Sequence, residues 1–509
     1  MDGAVSERFI RTPSSKVVRC LDVSDLGHRI PNTLEFDAGP GGDVKRLGGW
    51  DAVLLYNETP NLHQHTLKVA VVDASECDEF GFDRFRQTLA RRLHLLEPLR
   101  YQLVDIPGRM HHPMWLENCD VDLDYHIRRM QVSPPGSNRE LDVAIGEVAS
   151  TPLDRSRPLW EFYFVEGMAD NRFAIIGKVH HALADGVASA NLMARALDLP
   201  GSSQLERDDY RRDPHPSGAQ LVRAALADHV GLLRELPRLV RDTAGGMRRV
   251  RRKSVSIPGQ ARNFRPPRTF LNHVVTPGRT FASVKLDLHE VKGIGKQLGV
   301  TINDMVLAIS TGALRTLLLK YDGRADEPLL CGVPLSIDTS PDRISGNAIG
   351  TIVVSLPVHL ADPLEWVRLA HTGATIGKEN ARLLGNELVS RWSNYAPPAL
   401  TEWGFRRIAA SDSPNKLINV PISNVPGPRE YGRIACAPMV ELYSVGPLTF
   451  GSGVNITVWS YVDQLNISVL ADDATFGDPH EVTDAAVDAF GLIREAAGRP
   501  AEITGRSST

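Results

Sequence analysis

Apolar residues in this chain change period from two to 3.6 and back, and they do so in two long stretches separated by one that holds to neither pattern. From Trp50 to about Pro200, strand-like runs such as residues 66–72 (TLKVAVV) alternate with helical ones such as residues 82–95. From Thr269 the same texture returns, with strand-like residues 283–288, a helical run over 301–320, and strands over 349–356 and 455–460. Such alternation predicts an α/β fold rather than an all-helical or all-strand one. A single core stops growing at about 250–300 residues, and the chain has 509. The expectation is therefore an N-terminal extension over 1–46, a first domain over 47–200, a connector over 201–267 and a second domain over 268–509.

Composition narrows the class without naming a function. With 42% hydrophobic and 23% charged residues the chain can bury a large core, which excludes disordered and collagen-like classes. The formal net charge of -4 gives no global reason to expect a nucleic-acid partner. The five cysteines are far apart, odd in number and lack a CxxC pair, so neither a disulfide framework nor a zinc site is expected and a cytoplasmic location fits. The most apolar helical run, residues 305–319, is interrupted by Arg315, and no transmembrane span is expected. In the connector, residues 219–250 read as a long amphipathic helix with Leu221, Leu232, Leu236, Leu239 and Val240 among interleaved arginines, kinked at Pro237. A solvated linker helix and a contact with a lipid surface both suit that pattern.

The chemistry concentrates at one place. Residues 173–181 (FAIIGKVHH) form an apolar run of strand length that ends in two histidines, then meets Asp185-Gly186 and a helical run through Val187, Ala190, Ala194 and Leu197. If strand geometry persists through the pair, His181 shares a face with Val179, Ile175 and Phe173 while His180 points the other way. One ring can then serve as a general base and the other can pack. Imidazole suits the task because its pKa lies near neutral pH. Asp185 could bond a histidine ring, or bind an arginine and backbone amides to fix the turn; its position before the helical run favours the second. Gly186 would permit close approach or an unusual backbone angle. A metal reading of His180, His181 and Asp185 is disfavoured, because alternation separates the rings and no further ligands cluster nearby. His63, His65, His94, His111, His112 and His126 have no comparable partners in sequence and are assigned surface or packing roles.

His180-His181-Ala182-Leu183-Ala184-Asp185-Gly186 resembles the HHxxxDG motif of CoA-dependent acyltransferases and peptide-synthetase condensation domains. The text around it is similar to the bacterial wax ester synthase/diacylglycerol acyltransferase family: Asp51-Ala52, Pro158-Leu159-Trp160, Asn303-Asp304, Gly346-Asn347 and residues 419–428 (NVPISNVPGP), in that order. The resemblance spans roughly Trp50 to Arg494. It implies two chloramphenicol-acetyltransferase-like domains around a shared central tunnel, with His181 as the base, His180 and Asp185 shaping its turn, and Asn303 and Asp304 across the domain interface near the reaction centre. Read from the residues alone, Asn303 suits a donor to a developing oxyanion or to a positioning network, Asp304 a helix cap or salt-bridge partner, and Pro158 and Trp160 a support for the site.

The function implied is O-acyl transfer from acyl-CoA, a substrate rather than a cofactor, to diacylglycerol or a long-chain alcohol, giving triacylglycerol or wax ester. No cofactor, metal or nucleic acid is expected, and peripheral contact with the cell membrane or a lipid droplet is compatible with the connector. Two other readings stay open: a condensation-type transferase fed by a carrier protein, and a catalytically silent lipid-binding scaffold.

Overall fold

The computed structural model describes residues 44–196, 211–253, 265–411 and 417–498. The expected N-terminal extension lies outside these residues up to position 43, as do parts of the connector at 201–210 and 254–264.

Two six-stranded mixed sheets carry the molecule. The first runs in space as Arg433–Ile434, Ala437–Val445, His65–Asp73, Arg172–His180, Trp160–Glu166 and Ile127–Gln131, antiparallel except for its last pair. The second runs as Ile349–Leu356, Leu329–Ser336, Val420–Val425, Val454–Tyr461, Gln464–Asp472 and Arg279–Asp287. The two sheets therefore do not partition the chain in sequence order. Strand Ala437–Val445, late in the chain, pairs with His65–Asp73 and completes the first sheet.

Helices cover the sheets as amphipathic patterning requires. Helix Asn138–Ser150 begins in a capping box between Ser137 and Glu140 and buries Leu141, Ile145 and Val148 against the first sheet. The second sheet packs under Ile302–Tyr321, Pro363–Leu384 and His480–Ala496. Ile302–Tyr321 is long and apolar enough to cross a membrane, yet 72% of its most apolar window is buried in this core, which accounts for its composition. Helix Gly218–Lys253 runs continuously through Pro237. Pro237 sits on the exposed side, where water can satisfy the carbonyl that loses its partner.

The cysteines correct an expectation. Cys77 and Cys436 form a disulfide, with Cα atoms 5.9 Å apart and 359 residues between them in sequence. Their proximity depends on the crossing of the chain's late segment into the first sheet, which no spacing rule anticipates.

Candidate functional site

Strand Arg172–His180 ends at His180, but its backbone pairing continues one residue further. The His180 amide donates to Leu159 O at 3.0 Å and the His181 amide to Gln64 O at 2.8 Å, so the two side chains leave on opposite faces. His180 is fully buried. Its Nδ1 accepts from the Ala182 N–H at 3.0 Å, which leaves the ring proton on Nε2, 3.6 Å from Glu58 Oε1 and beyond hydrogen-bond reach. Glu58 is in turn bonded by Arg155 at 2.7 Å and by the Gln64 amide at 3.1 Å. Burial pushes the Glu58 carboxyl up, but His180 and Arg155 outweigh it and hold it well below the usual range.

His181 is the opposite case. No other described residue hydrogen-bonds to its ring, and Nδ1 is shut away from solvent. Burial lowers its pKa, reinforced by His180 and Lys68 and opposed by its own carbonyl and Asp185. A neutral imidazole with unspent ring nitrogens is competent to take a proton at neutral pH. Lys68, half-buried, donates to Ser444 Oγ at 2.5 Å and lies 4.5 Å from the Trp459 ring centroid; burial lowers its amine to about 8.

The turn is locked by a second segment. Asp185 is buried, caps helix Gly186–Ala196 through the Ala188 N–H at 2.9 Å, and pairs with Arg343 at 2.9 Å. It also accepts from the Ala348 N–H at 2.9 Å. Gly346 adopts a φ of 73°, a left-handed conformation that a side chain would strain, and its amide and carbonyl bond Leu183 O and the Asp185 N–H. Asn347 donates to the His181 carbonyl and to Asp51 Oδ1, each at 2.7 Å. Asp51, on helix Gly49–Tyr56, is itself buried, and that burial pushes its carboxyl up to about 7.

The remaining expected residues are placed as follows. Gly186 faces Val425, whose Cγ2 would lie 3.0 Å from an added Cβ, so close approach is its use and not an unusual angle. Trp160 is fully buried, donates to Leu99 O at 2.7 Å and stacks on His126 with centroids 4.3 Å apart. Pro158 accepts from the Trp160 amide at 2.9 Å, and Leu159 between them bonds His180. Asn303 and Asp304 stand in the first turn of Ile302–Tyr321. Asp304 forms a capping box with Thr301 and meets His371 Nδ1 at 2.8 Å; Asn303 Nδ2 is buried and has no partner among the described residues. Among the described contacts none joins either residue to the His181 turn. In helix Gly186–Ala196 the buried positions are Ala188, Ser189 and Leu192, one step round from the expected face; Leu197 lies outside the described residues.

Sequence reasoning missed Glu58, Arg155 and Arg343, which carry no local signal, and quoted Asp51, Gly346 and Asn347 only as parts of a resemblance. Of the other histidines, His63 stacks on His65 and His112 bonds Tyr56 Oη at 2.9 Å, both packing roles. Among the described residues no group of His, Cys, Asp and Glu could hold a metal ion.

Comparison with known proteins converges on one family. Residues 47–306 match the wax ester synthase/diacylglycerol acyltransferase catalytic domain, and residues 345–494 match the C-terminal domain of the same family. A Mycobacterium tuberculosis protein provisionally named a diacylglycerol O-acyltransferase is 58% identical over 463 residues, 91% of this chain and 98% of the relative. The O-acyltransferase WSD of Acinetobacter baylyi is 31% identical, over 70% of this chain and 78% of its own. Among solved structures, the wax ester synthase/diacylglycerol acyltransferase of Marinobacter aquaeolei VT8 shares the fold with a TM-score of 0.63 at 24% identity, covering 89% of this chain and 99% of that one. The first condensation domain of the calcium-dependent antibiotic synthetase aligns with a TM-score of 0.55 at 15% identity, over 91% of this chain and 98% of that one.

Proposed function

The chain belongs to the wax ester synthase/diacylglycerol acyltransferase family, and from that premise we propose that it moves a long-chain fatty acyl group from coenzyme A to diacylglycerol, with long-chain alcohols as a second acceptor. The observation that carries this reading is the state of His181: a half-buried imidazole whose pKa burial lowers, bonded at its backbone on both sides, with no other described residue using its ring. Such a ring can take the hydroxyl proton as the alcohol oxygen attacks the thioester carbonyl carbon. The C–O bond forms, the tetrahedral intermediate collapses, and the C–S bond breaks. The proton then passes from His181 to the departing thiolate, giving ester and free CoA thiol. The step is balanced without an acyl-enzyme and consumes no cofactor. General-base assistance of this kind contributes about 10²–10⁴-fold.

The neighbours divide the supporting work. His180, held at Nδ1 by the Ala182 amide and facing the Glu58 carboxylate, fixes the strand end, and Asp185 with Arg343 fixes the turn. Asn303, whose Nδ2 is an unspent buried donor, is assigned to the developing oxyanion, and Asp304 to the cap that orients its helix.

Purified full chain supplied with labelled long-chain acyl-CoA and dispersed diacylglycerol should form labelled ester and free thiol, and His181→Ala should slow this by about 10²–10⁴-fold. An unchanged rate in His181→Ala overturns the mechanism. Transfer from carrier-bound acyl groups alone would assign the chain to condensation-type chemistry, and no turnover with any donor or acceptor would favour a binding scaffold.

A further inference from the structure

Helix Gly218–Lys253 spans about 54 Å at 1.5 Å per residue. Its inner face is well tied to the body. Leu221, Ala225 and Leu239 are buried, Tyr395 Oη donates to Leu232 O at 2.7 Å, and Trp392 Nε1 donates to Thr243 at 3.0 Å. Gly246 lies so close to Leu384 that an added Cβ would fall 2.5 Å from its carbonyl oxygen.

The outer face is not that of a solvated linker. Leu226, Leu233, Val240 and Met247 recur every seven residues and each is half or more exposed, Leu233 by 68%; Val230 adds to the same stripe. At about 100° per residue, Arg223, Arg234, Arg238 and Arg241 fall along one flank of it. These arginines are exposed and carry no ion pair among the described residues. The helix has nine Lys and Arg against three Asp and Glu, in a chain whose formal charge is -4. Two of the three acids pair with arginines of the body, Asp228 with Arg46 and Asp242, its side chain still 41% exposed, with Arg391 at 2.9 Å. Lys253 pairs with Glu379, and the remaining excess of exposed arginines leaves the outer face apolar and cationic. The adjoining helix Leu388–Ser393 adds the exposed Val389.

We propose that this face docks on an anionic phospholipid surface, with the stripe entering the headgroup and acyl boundary and the arginine flank engaging lipid phosphates. The charge selects the occupant. A second copy packed face to face would oppose arginine with arginine, whereas an anionic bilayer complements both the charge and the apolar stripe. The inference concerns where the protein works, and it stands or falls apart from the acyl-transfer reading.

The test is flotation of the full chain with phosphatidylcholine vesicles, with and without about one-third phosphatidylglycerol. The parent should float with the anionic vesicles and release as salt rises from about 0.1 M to about 0.5 M. A variant carrying Leu226→Gln, Leu233→Gln, Val240→Gln and Met247→Gln should partition at least about tenfold less while keeping the parental melting midpoint. Arg234→Gln with Arg238→Gln and Arg241→Gln should remove the preference for anionic over neutral vesicles. Equal flotation of parent and stripe variant, a parent that ignores anionic vesicles, or a parental dimer that the stripe variant splits would each overturn the proposal. Ester formation on dispersed acceptor reports separately on the acyl-transfer reading.

Discussion

Asp185 and Asp304 mark two helix starts, and both lie buried against a basic side chain from a distant segment. Asp185 precedes its helix and accepts the Ala188 N–H of the first turn, whereas Asp304 lies inside the first turn and reaches back to the Thr301 N–H. They differ as well in where the basic partner comes from. Arg343 comes from the loop that also supplies Gly346, Asn347 and Ala348, so Asp185 joins two separate segments around the residue with the unspent ring. His371 comes from a neighbouring helix and is 45% exposed, so Asp304 fastens one core helix to another. An acidic residue at a helix start therefore says where the helix begins; its long-range partner decides whether anything else depends on it.

The comparison can be broken most forcefully at the residue Asp185 serves. His181→Ala should cost about 10²–10⁴-fold in turnover with little change in melting, and a comparable loss on substituting His371 would erase the distinction. Next, Asp185→Asn removes the buried carboxylate from a half-buried Arg343, which keeps the Asp338 carboxylate at 3.6 Å. The expected destabilisation is about 3 kcal/mol, and adding Arg343→Met should recover part of it in a double-mutant cycle followed by denaturant melts. Glu58→Gln should lower turnover by about tenfold through misplacement of His180, measured as kcat at saturating donor.

Smaller effects lie on the other side. Thr301→Ala, which dismantles the capping box, should cost about 1 kcal/mol, and His371→Ala less than about 1 kcal/mol because the imidazole is itself partly solvated. Acidity separates the two regions again. Burial raises the Asp304 carboxyl, but His371 and Thr301 outweigh it and the net shift is downward. Its contribution to stability is complete above about pH 4 and fades as pH falls through the lowered value. His181, depressed by burial, should place the acid limb of kcat/KM below the ordinary imidazole value of about 6.5; a limb above that value would contradict the neutral-base assignment.

Much of this contrast follows from local pattern and much does not. The strand ending in His180, the cap at Asp185 and the helix beginning at Ile302 are written in short-range periodicity and turn chemistry. Arg343 lies 158 residues from Asp185, and Asn347 lies 166 residues from His181. Glu58 is equally silent in sequence, since an acid after a short helix is unremarkable until the fold sets it beside His180. The disulfide of Cys77 escaped for the same reason, its partner being carried in by a strand that the alternation of periods places in the other half.

That strand has a consequence during synthesis. Until residues 437–445 emerge from the ribosome, strand His65–Asp73 has Arg172–His180 on one side and nothing from Ala437–Val445 on the other. The nascent chain thus carries an open, apolar sheet edge for most of its translation, a template for pairing with other chains. Messages broken before that point would yield products prone to aggregate, and the first half of the protein should need either the last quarter or a chaperone to stay in solution.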